Sequence, residues 1–383
     1  MRILTVGGGS GGHVTPVVAV VRELKKRNPQ AEIQFWCDRS FGSQARRLMS
    51  AADSSIRVRT IASGKLRRYH GVSVWSHLLD VSTIAKNLVD SFKIVVGFLQ
   101  SFVRLIVWRP DVIFTKGGFV CLPVGVAAHV LRIPLVIHDS DALPGLTNRV
   151  LARFADVILT GAPLENYKYP PAKTTYVGIP VDAAFRPYTV AEKAQAKQRL
   201  GFPADKPLIV VTGGGLGARR INNAVAAIAD RLLAAASVLH ISGAGQYDAL
   251  RQRIPKHAQY RLESFVSEGM ADIFGAADVV ITRAGASSLQ ELAASAAPTI
   301  LVPNPLLTGG HQLKNAAVYE RAKAAIVMDE EAMAKDADVL LKAITSLLEE
   351  SKAREAIGAA LHKFARPNAA KEVADAIMNI VKK

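Results

Sequence analysis

Short apolar runs separated by amphipathic stretches set the rhythm of this chain. Ile3-Leu4-Thr5-Val6, Ile33-Gln34-Phe35-Trp36, Val112-Ile113-Phe114, Leu135-Val136-Ile137 and Val157-Ile158-Leu159 read as strands, the last closing a first sheet. Residues 208–212, 237–241, 278–282, 299–302 and a shorter run at 325–327 repeat the scheme. Runs this short and this apolar, alternating with helical patterns, fit α/β parallel sheets covered on both faces. Tyr169-Pro170-Pro171 and Gly178-Ile179-Pro180 punctuate the middle, which predicts one domain over 1–180 and a second over 181–383. From Ala369 to the end, Val373, Ile377, Ile380 and Val381 share a helical face that can pack back on the first domain.

Two of these strands run into glycine-rich turns: Gly7 to Gly12 after the first, and Gly213-Gly214-Gly215-Leu216-Gly217 after Leu208–Val211. Glycine lets the main chain approach a ligand closely, and a turn between strand and helix aims amides and the positive helix end at phosphate. One such turn is weak evidence; two in corresponding places suggest paired domains with a cleft between them. Thr15 is expected to cap the first helix, with Pro16 in its first turn.

Between Trp75 and Trp108 the pattern changes. Val95, Phe98, Leu99, Phe102, Leu105 and Ile106 recur at helical spacing beside Lys93 and Arg104, while the longest uncharged stretch, 94–103, is too short to span a bilayer. A helix lying on a membrane surface and a helix packed on its own sheet both fit. Lys65-Leu66-Arg67-Arg68-Tyr69 nearby favours membrane contact.

Charge sharpens that reading. The 383 residues carry a formal +16, and residues 57–109 hold nine Lys or Arg against two Asp, a net +7. Anionic lipid and phosphorylated substrates suit such a face, and no zinc-finger or RNA-binding signature speaks for nucleic acid. Half the residues are hydrophobic, which disfavours disorder. Cys37 and Cys121 stand far apart in apolar contexts, as in a reducing cytosol without disulfides or a thiol metal site, and the N-terminus lacks a signal-peptide pattern.

His13 stands between the first glycine turn and its helix, where a positive helix end disfavours imidazolium and leaves a neutral ring able to accept a proton. Gly7-x-Gly9-x-x-Gly12 with Asp38 at the end of the second strand also satisfies a dinucleotide fingerprint, which would make the chain an NAD-dependent oxidoreductase. Ser288 and Glu291 can be read as a capping box or as cleft residues, with little to choose between them. His311 and Gln312 begin another helix and can either cap it or read sugar hydroxyls.

Several motifs together resemble glycosyltransferase family 28, the bacterial N-acetylglucosaminyltransferases of peptidoglycan synthesis. They are the opening glycine turn with His13, Gly64-Lys65-Leu66-Arg67-Arg68-Tyr69, Lys116-Gly117-Gly118-Phe119-Val120 and Pro144-Gly145-Leu146-Thr147-Asn148. Gly213 to Arg219, Arg283 to Glu291, His311-Gln312, Asn315-Ala316 and Ala365-Arg366-Pro367-Asn368-Ala369-Ala370 continue the likeness nearly end to end. The resemblance implies a GT-B fold, two Rossmann-like parallel-sheet domains facing a cleft, with no cofactor and no required metal. It implies an inverting transfer of N-acetylglucosamine from UDP-N-acetylglucosamine to the C4 hydroxyl of the muramyl pentapeptide in lipid I, at the cytoplasmic face of the membrane.

By the same resemblance, the second domain holds the donor through Gly214, Gly215, Gly217, Arg219, Phe265, Val266, Arg283, Gly285, Ala286, Glu291, His311 and Gln312. The first holds the polyprenyl-diphosphate acceptor through Gly9, Ser10, Gly11, Gly12, Gly117, Gly118 and Asp141, with His13 the first choice of base and Asp139 a second catalytic candidate. Three departures stand out: His138-Asp139-Ser140-Asp141 replaces His-Glu-Gln-Asn, Asp182 replaces an arginine at the domain crossing, and Gly215-Leu216 replaces Ser-Gln. Asp139-x-Asp141 also resembles the metal-binding pair of another glycosyltransferase fold. Alternatives are another UDP-sugar transferase, a non-catalytic UDP-sugar-binding protein, and the NAD oxidoreductase above.

Overall fold

The computed structural model describes residues 1–8, 11–64, 81–141, 144–215, 217–305 and 310–382, with only the backbone for 81–86. Gly9, Ser10, the Lys65–Tyr69 motif, Trp75, Leu216 and the 307–309 turn therefore lie outside the described residues. The chain divides into two units, Met1–Asp182 with Arg366–Lys383, and Ala183–Ala365.

The first unit is built on a parallel sheet of order β3-β2-β1-β4-β5-β6-β7. Its strands are β1 (Arg2–Val6), β2 (Glu32–Asp38), β3 (Arg57–Ile61), β4 (Val112–Thr115), β5 (Leu135–Asp139), β6 (Val157–Thr160) and β7 (Thr174–Tyr176). Alternate side chains serve opposite faces. Ile3, Ile33, Phe35 and Cys37 pack against helices Thr15–Arg27 and Gly42–Ala52, whereas Leu4, Val6 and Trp36 join Leu105, Val124 and Leu151 on the other side. The closing helix Ala369–Val381 completes the first face through Val373, Ala374 and Ile377, and Arg27 of the Thr15–Arg27 helix pairs with Asp375. Burial of each such Val or Ile is worth about 1.5–3 kcal/mol, so this helix is integral to the unit.

The second unit repeats the plan, with order β10-β9-β8-β11-β12-β13. Its strands are β8 (Leu208–Thr212), β9 (Ser237–Ile241), β10 (Tyr260–Glu263), β11 (Val279–Thr282), β12 (Thr299–Leu301) and β13 (Ile326–Val327). Ile209, Val211 and Ile281 face helices Arg219–Ala227 and Asp338–Glu349; Leu208, Val210 and Val280 face Met270–Ala276 and Ala286–Ser295. Both sheets are parallel throughout.

Three details differ from the sequence reading. β6 does not close the first sheet, because β7 pairs beyond it. Thr15 is the first helical residue, with Val14 in the cap position and no side-chain cap. The helix Ala286–Ser295 has Gly285 at its cap, so Ser288 and Glu291 lie inside it and form no capping box.

The helix Val81–Val107 presents two apolar faces. Leu105 is buried and Phe98 and Phe102 pack on the first core, while Gly97, without a Cβ, lets the helix approach the Ala62 carbonyl. On the other face Leu88, Phe92, Val95, Leu99, Val103 and Ile106 are each more than half exposed. Of the set that periodicity suggests, Phe98, Phe102 and Leu105 thus belong to the fold, while Val95, Leu99 and Ile106 lie in the exposed stripe. No helix among the described residues is long and apolar enough to cross a membrane.

Candidate functional site

In each sheet the order reverses beside the first strand of the unit, between β1 and β4 and between β8 and β11. The crevice outside the carboxyl ends of such strands is where open parallel sheets bind ligands. Both glycine turns leave these strands.

In the first unit, β1 runs into Gly7 and β4 into Lys116-Gly117-Gly118, and the Lys116 amide donates to the Val6 carbonyl at 2.9 Å. Gly117 and Gly118 have φ of +96° and +90°, conformations glycine alone adopts cheaply. A Cβ on Gly118 would lie 2.5 Å from the Gly8 carbonyl oxygen and 3.5 Å from the His13 ring, so the two turns and His13 meet at the reversal point. Gly11, Gly12 and half-buried His13 continue from the turn into the Thr15–Arg27 helix. Main-chain amides and a helix start converging here suit an anion.

The 138–141 segment adjoins this point. Asp139 is 3% exposed, and its Oδ2 accepts from the Tyr169 hydroxyl at 2.6 Å. Burial raises its pKa to about 6, against the lowering effect of the Tyr169 and Asn148 hydrogen bonds. A carboxyl held in this way supports the strand end. Asp141 is half-buried, and its carbonyl accepts from Tyr167 at 2.8 Å. Tyr167 and Tyr169 stack with ring centroids 5.5 Å apart.

Asp38 is also spoken for locally. Its carboxylate accepts from the Phe41 amide at 3.2 Å and from Ser40, capping a short turn at 3% exposure. That use leaves the dinucleotide reading of Gly7 to Gly12 without its ribose partner. Asp182 at the crossing forms an ion pair with Arg22.

In the second unit the Gly214 amide donates to Thr212 Oγ1 at 3.2 Å and the Gly217 amide to the Gly214 carbonyl at 3.0 Å, closing a tight turn with Gly214 and Gly217 at φ +76° and +74°. Half-buried Gly215 lies in it, and exposed Arg219 opens the helix that follows. Beneath lies a polar network that sequence reasoning missed. Asn222 Nδ2 donates to the Ser242 carbonyl at 2.9 Å, Asn222 Oδ1 accepts from His240 Nε2 at 3.0 Å, and the Tyr260 hydroxyl meets His240 Nδ1 at 2.7 Å. Burial pushes His240 down to about 3, so it is neutral and acts as a fixed donor–acceptor link. Its only sequence signal is one histidine in the otherwise apolar Val238–Ile241 run.

Arg283 follows β11 but is turned into the fold: it donates to the Val302 carbonyl at 3.0 Å and to Glu330, which also receives Arg220. Gly285 and Ala286 start the helix that carries half-buried Glu291. Gly310, at φ +62°, caps the helix begun by half-buried His311. Gln312 is 8% exposed and its Oε1 accepts from the Asn304 amide at 2.9 Å, which ties the helix start to that residue. Phe265 and Val266 are half-buried just after β10.

The Glycosyltransferase family 28 N-terminal domain matches residues 3–160 and the family 28 C-terminal domain residues 208–373. A UDP-N-acetylglucosamine–N-acetylmuramyl-(pentapeptide) pyrophosphoryl-undecaprenol N-acetylglucosamine transferase of Legionella pneumophila is 34% identical over 351 residues, covering 90% of this chain and 88% of the relative. A Bacillus thuringiensis protein of the same description is 33% identical and covers 95% of each chain. The crystal structure of MurG from Acinetobacter baumannii superposes with a TM-score of 0.68 at 25% identity over 99% of both chains. A UDP-GlcNAc 2-epimerase from Neisseria meningitidis, 13% identical, shares the fold with a TM-score of 0.67 over 99% of this chain and 100% of that one.

Proposed function

The chain belongs to glycosyltransferase family 28, and from that membership we infer that it transfers N-acetylglucosamine from UDP-N-acetylglucosamine to muramyl pentapeptide pyrophosphoryl-undecaprenol. The observation that carries the reading is the family match across both units, each with a glycine turn at its sheet reversal. On this reading the second unit holds the donor, its diphosphate against the 213–217 turn, with Glu291 at the ribose and His311 at the sugar. The first unit holds the acceptor, its diphosphate against Gly117 and Gly118. The C4 hydroxyl loses its proton to His13 as its oxygen attacks the anomeric carbon, inverting it, and UDP leaves with its charge stabilised by amides and helix starts.

The test is transfer from labelled UDP-N-acetylglucosamine to a lipid I analogue, with and without EDTA. Disaccharide product in both conditions is expected; folded protein that yields none would remove the assignment. Product only without EDTA would instead bring a divalent ion into the reaction.

The same reading places the enzyme on the cytoplasmic membrane face, where its acceptor resides. The exposed stripe of the Val81–Val107 helix supports this, since contiguous apolar surface beside basic residues suits the headgroup boundary of anionic lipid. Combined Phe92→Ser and Leu99→Ser substitutions are expected to weaken binding to anionic vesicles by about tenfold or more per residue, given ~1.5–3 kcal/mol for each buried side chain. Thermal stability should stay near that of the parent. Phe98→Ser and Phe102→Ser should do the reverse, and a vesicle-binding loss confined to that pair would refute the choice of face.

A further inference from the structure

Lys116 is 1% exposed, yet it ends the segment that delivers Gly117 and Gly118 to the reversal point. Its Nζ donates to Ser140 Oγ. Ser140 Oγ lies 3.4 Å from His138 Nδ1, and His138 Nε2 lies 2.8 Å from the Gly178 carbonyl oxygen. Donor chemistry fixes the direction of this chain. A carbonyl only accepts, so Nε2 carries the proton and neutral His138 must accept at Nδ1. An ammonium only donates, so Ser140 Oγ accepts the Lys116 hydrogen bond and turns its own hydroxyl hydrogen toward His138.

We propose that Lys116 is a positioning residue for glycosyl transfer. Its ammonium sets the direction of the Ser140–His138–Gly178 hydrogen bonds, and so fixes the 138–141 strand end beside the turns that take the acceptor diphosphate. The role rests on the transferase assignment above. It also gives the replaced family motif a use: a serine at position 140 can both accept from a lysine and donate to a histidine, whereas the charged form of the lysine leaves only one arrangement of those protons.

The chain is built to titrate. Burial pushes Lys116 down to about 8, opposed by Asp141 and then Asp139, with the Cys121 thiol a further, smaller influence. Burial holds His138 well below its ordinary range, and the Lys116 charge adds to that. Burial likewise raises Cys121 to about 12, so the thiol is neutral. Above about 8 the neutral amine can accept the Ser140 proton, and His138 loses its donor. Transfer should therefore fall as pH rises through that value. Stability should move the other way: a lysine whose pKa is lower folded than unfolded leaves the unfolded chain binding more protons, so this group favours folding increasingly from about 8 up to the ordinary lysine range.

The experiment is steady-state transfer by the full chain to the lipid I analogue across the pH range, for the parent, Lys116→Met, Lys116→Arg and Ser140→Ala. Lys116→Met should lose about 10²-fold in acceptor kcat/KM, the scale of a misplaced substrate, with donor KM little changed. Its alkaline decline should vanish. Ser140→Ala should also lose that decline although the lysine remains, which a purely structural lysine would not produce. Lys116→Arg, charged throughout, should retain more activity than the methionine variant and show no decline near 8. A parent chain without any transfer would overturn the assigned activity and this role with it. Normal parent transfer, with folded Lys116→Met and Ser140→Ala keeping the parental rate and pH profile, would overturn the role alone.

Discussion

His13→Ala is expected to lower transfer by about 10²–10⁴-fold, the usual contribution of a general base, while UDP binding survives. The ring is half-buried at the end of the first glycine turn and meets Gly118, whose φ of +90° goes with a close approach of the 116–118 turn to Gly8. A proton acceptor and two main-chain turns converge there. Asp139, the other candidate, is nearly buried and hydrogen-bonded to Tyr169. Rates for His13→Ala and Asp139→Asn in the same assay separate the two. An alanine variant within a few-fold of the parent would remove His13 from the chemistry; a far larger loss at Asp139 would move the base there. UDP affinity by calorimetry guards against a general loss of structure.

Gly217→Ala should be among the most damaging small substitutions in the second unit. The added Cβ would stand 2.0 Å from the Ser242 carbonyl oxygen, on a residue whose φ of +74° already disfavours a side chain. Left-handed backbone alone costs roughly 1–2 kcal/mol. The carbonyl cannot retreat cheaply, because it accepts from Asn222, which is tied through His240 to Tyr260. Disrupting such a buried network adds a few kcal/mol more, by the roughly 1–3 kcal/mol cost of each unmet buried polar group. Loss of UDP binding and a clear drop in denaturation midpoint are expected together. Gly214→Ala is the comparison: its φ is +76°, but nothing lies within 4 Å of the new Cβ, so only the backbone strain should register. Equal effects at the two positions would mean that the network does not brace the turn.

The strands that periodicity missed all lie at sheet edges, although one edge strand, β13, shows through its short apolar run. β1, β4, β8 and β11 sit in sheet centres, buried on both faces, and read as continuous apolar runs. β3, β7 and β10 are all edge strands, with the sequences Arg-Val-Arg-Thr-Ile, Thr-Thr-Tyr and Tyr-Arg-Leu-Glu. An edge needs charge and polarity to discourage pairing with other chains, and that need erases the apolar signal. The Val81–Val107 helix shows the opposite problem. It is apolar on two faces, so spacing reveals a helix without saying which side meets the core; Gly97 against Ala62 and Arg104 donating to the Thr60 carbonyl at 2.9 Å decide it.

The sequence by itself determined the α/β plan, the two glycine turns and the family, because each is local: consecutive residues carry the strand, the turn and the motif. Only the tertiary structure decided which polar side chains are committed inside the fold. Arg283 turns to Glu330, Asn222 is tied to His240 and Ser242, and Lys116 meets Ser140 24 positions along the chain. A buried polar group must find a partner, and parallel strands bring that partner from a distant stretch of sequence that no local pattern encodes.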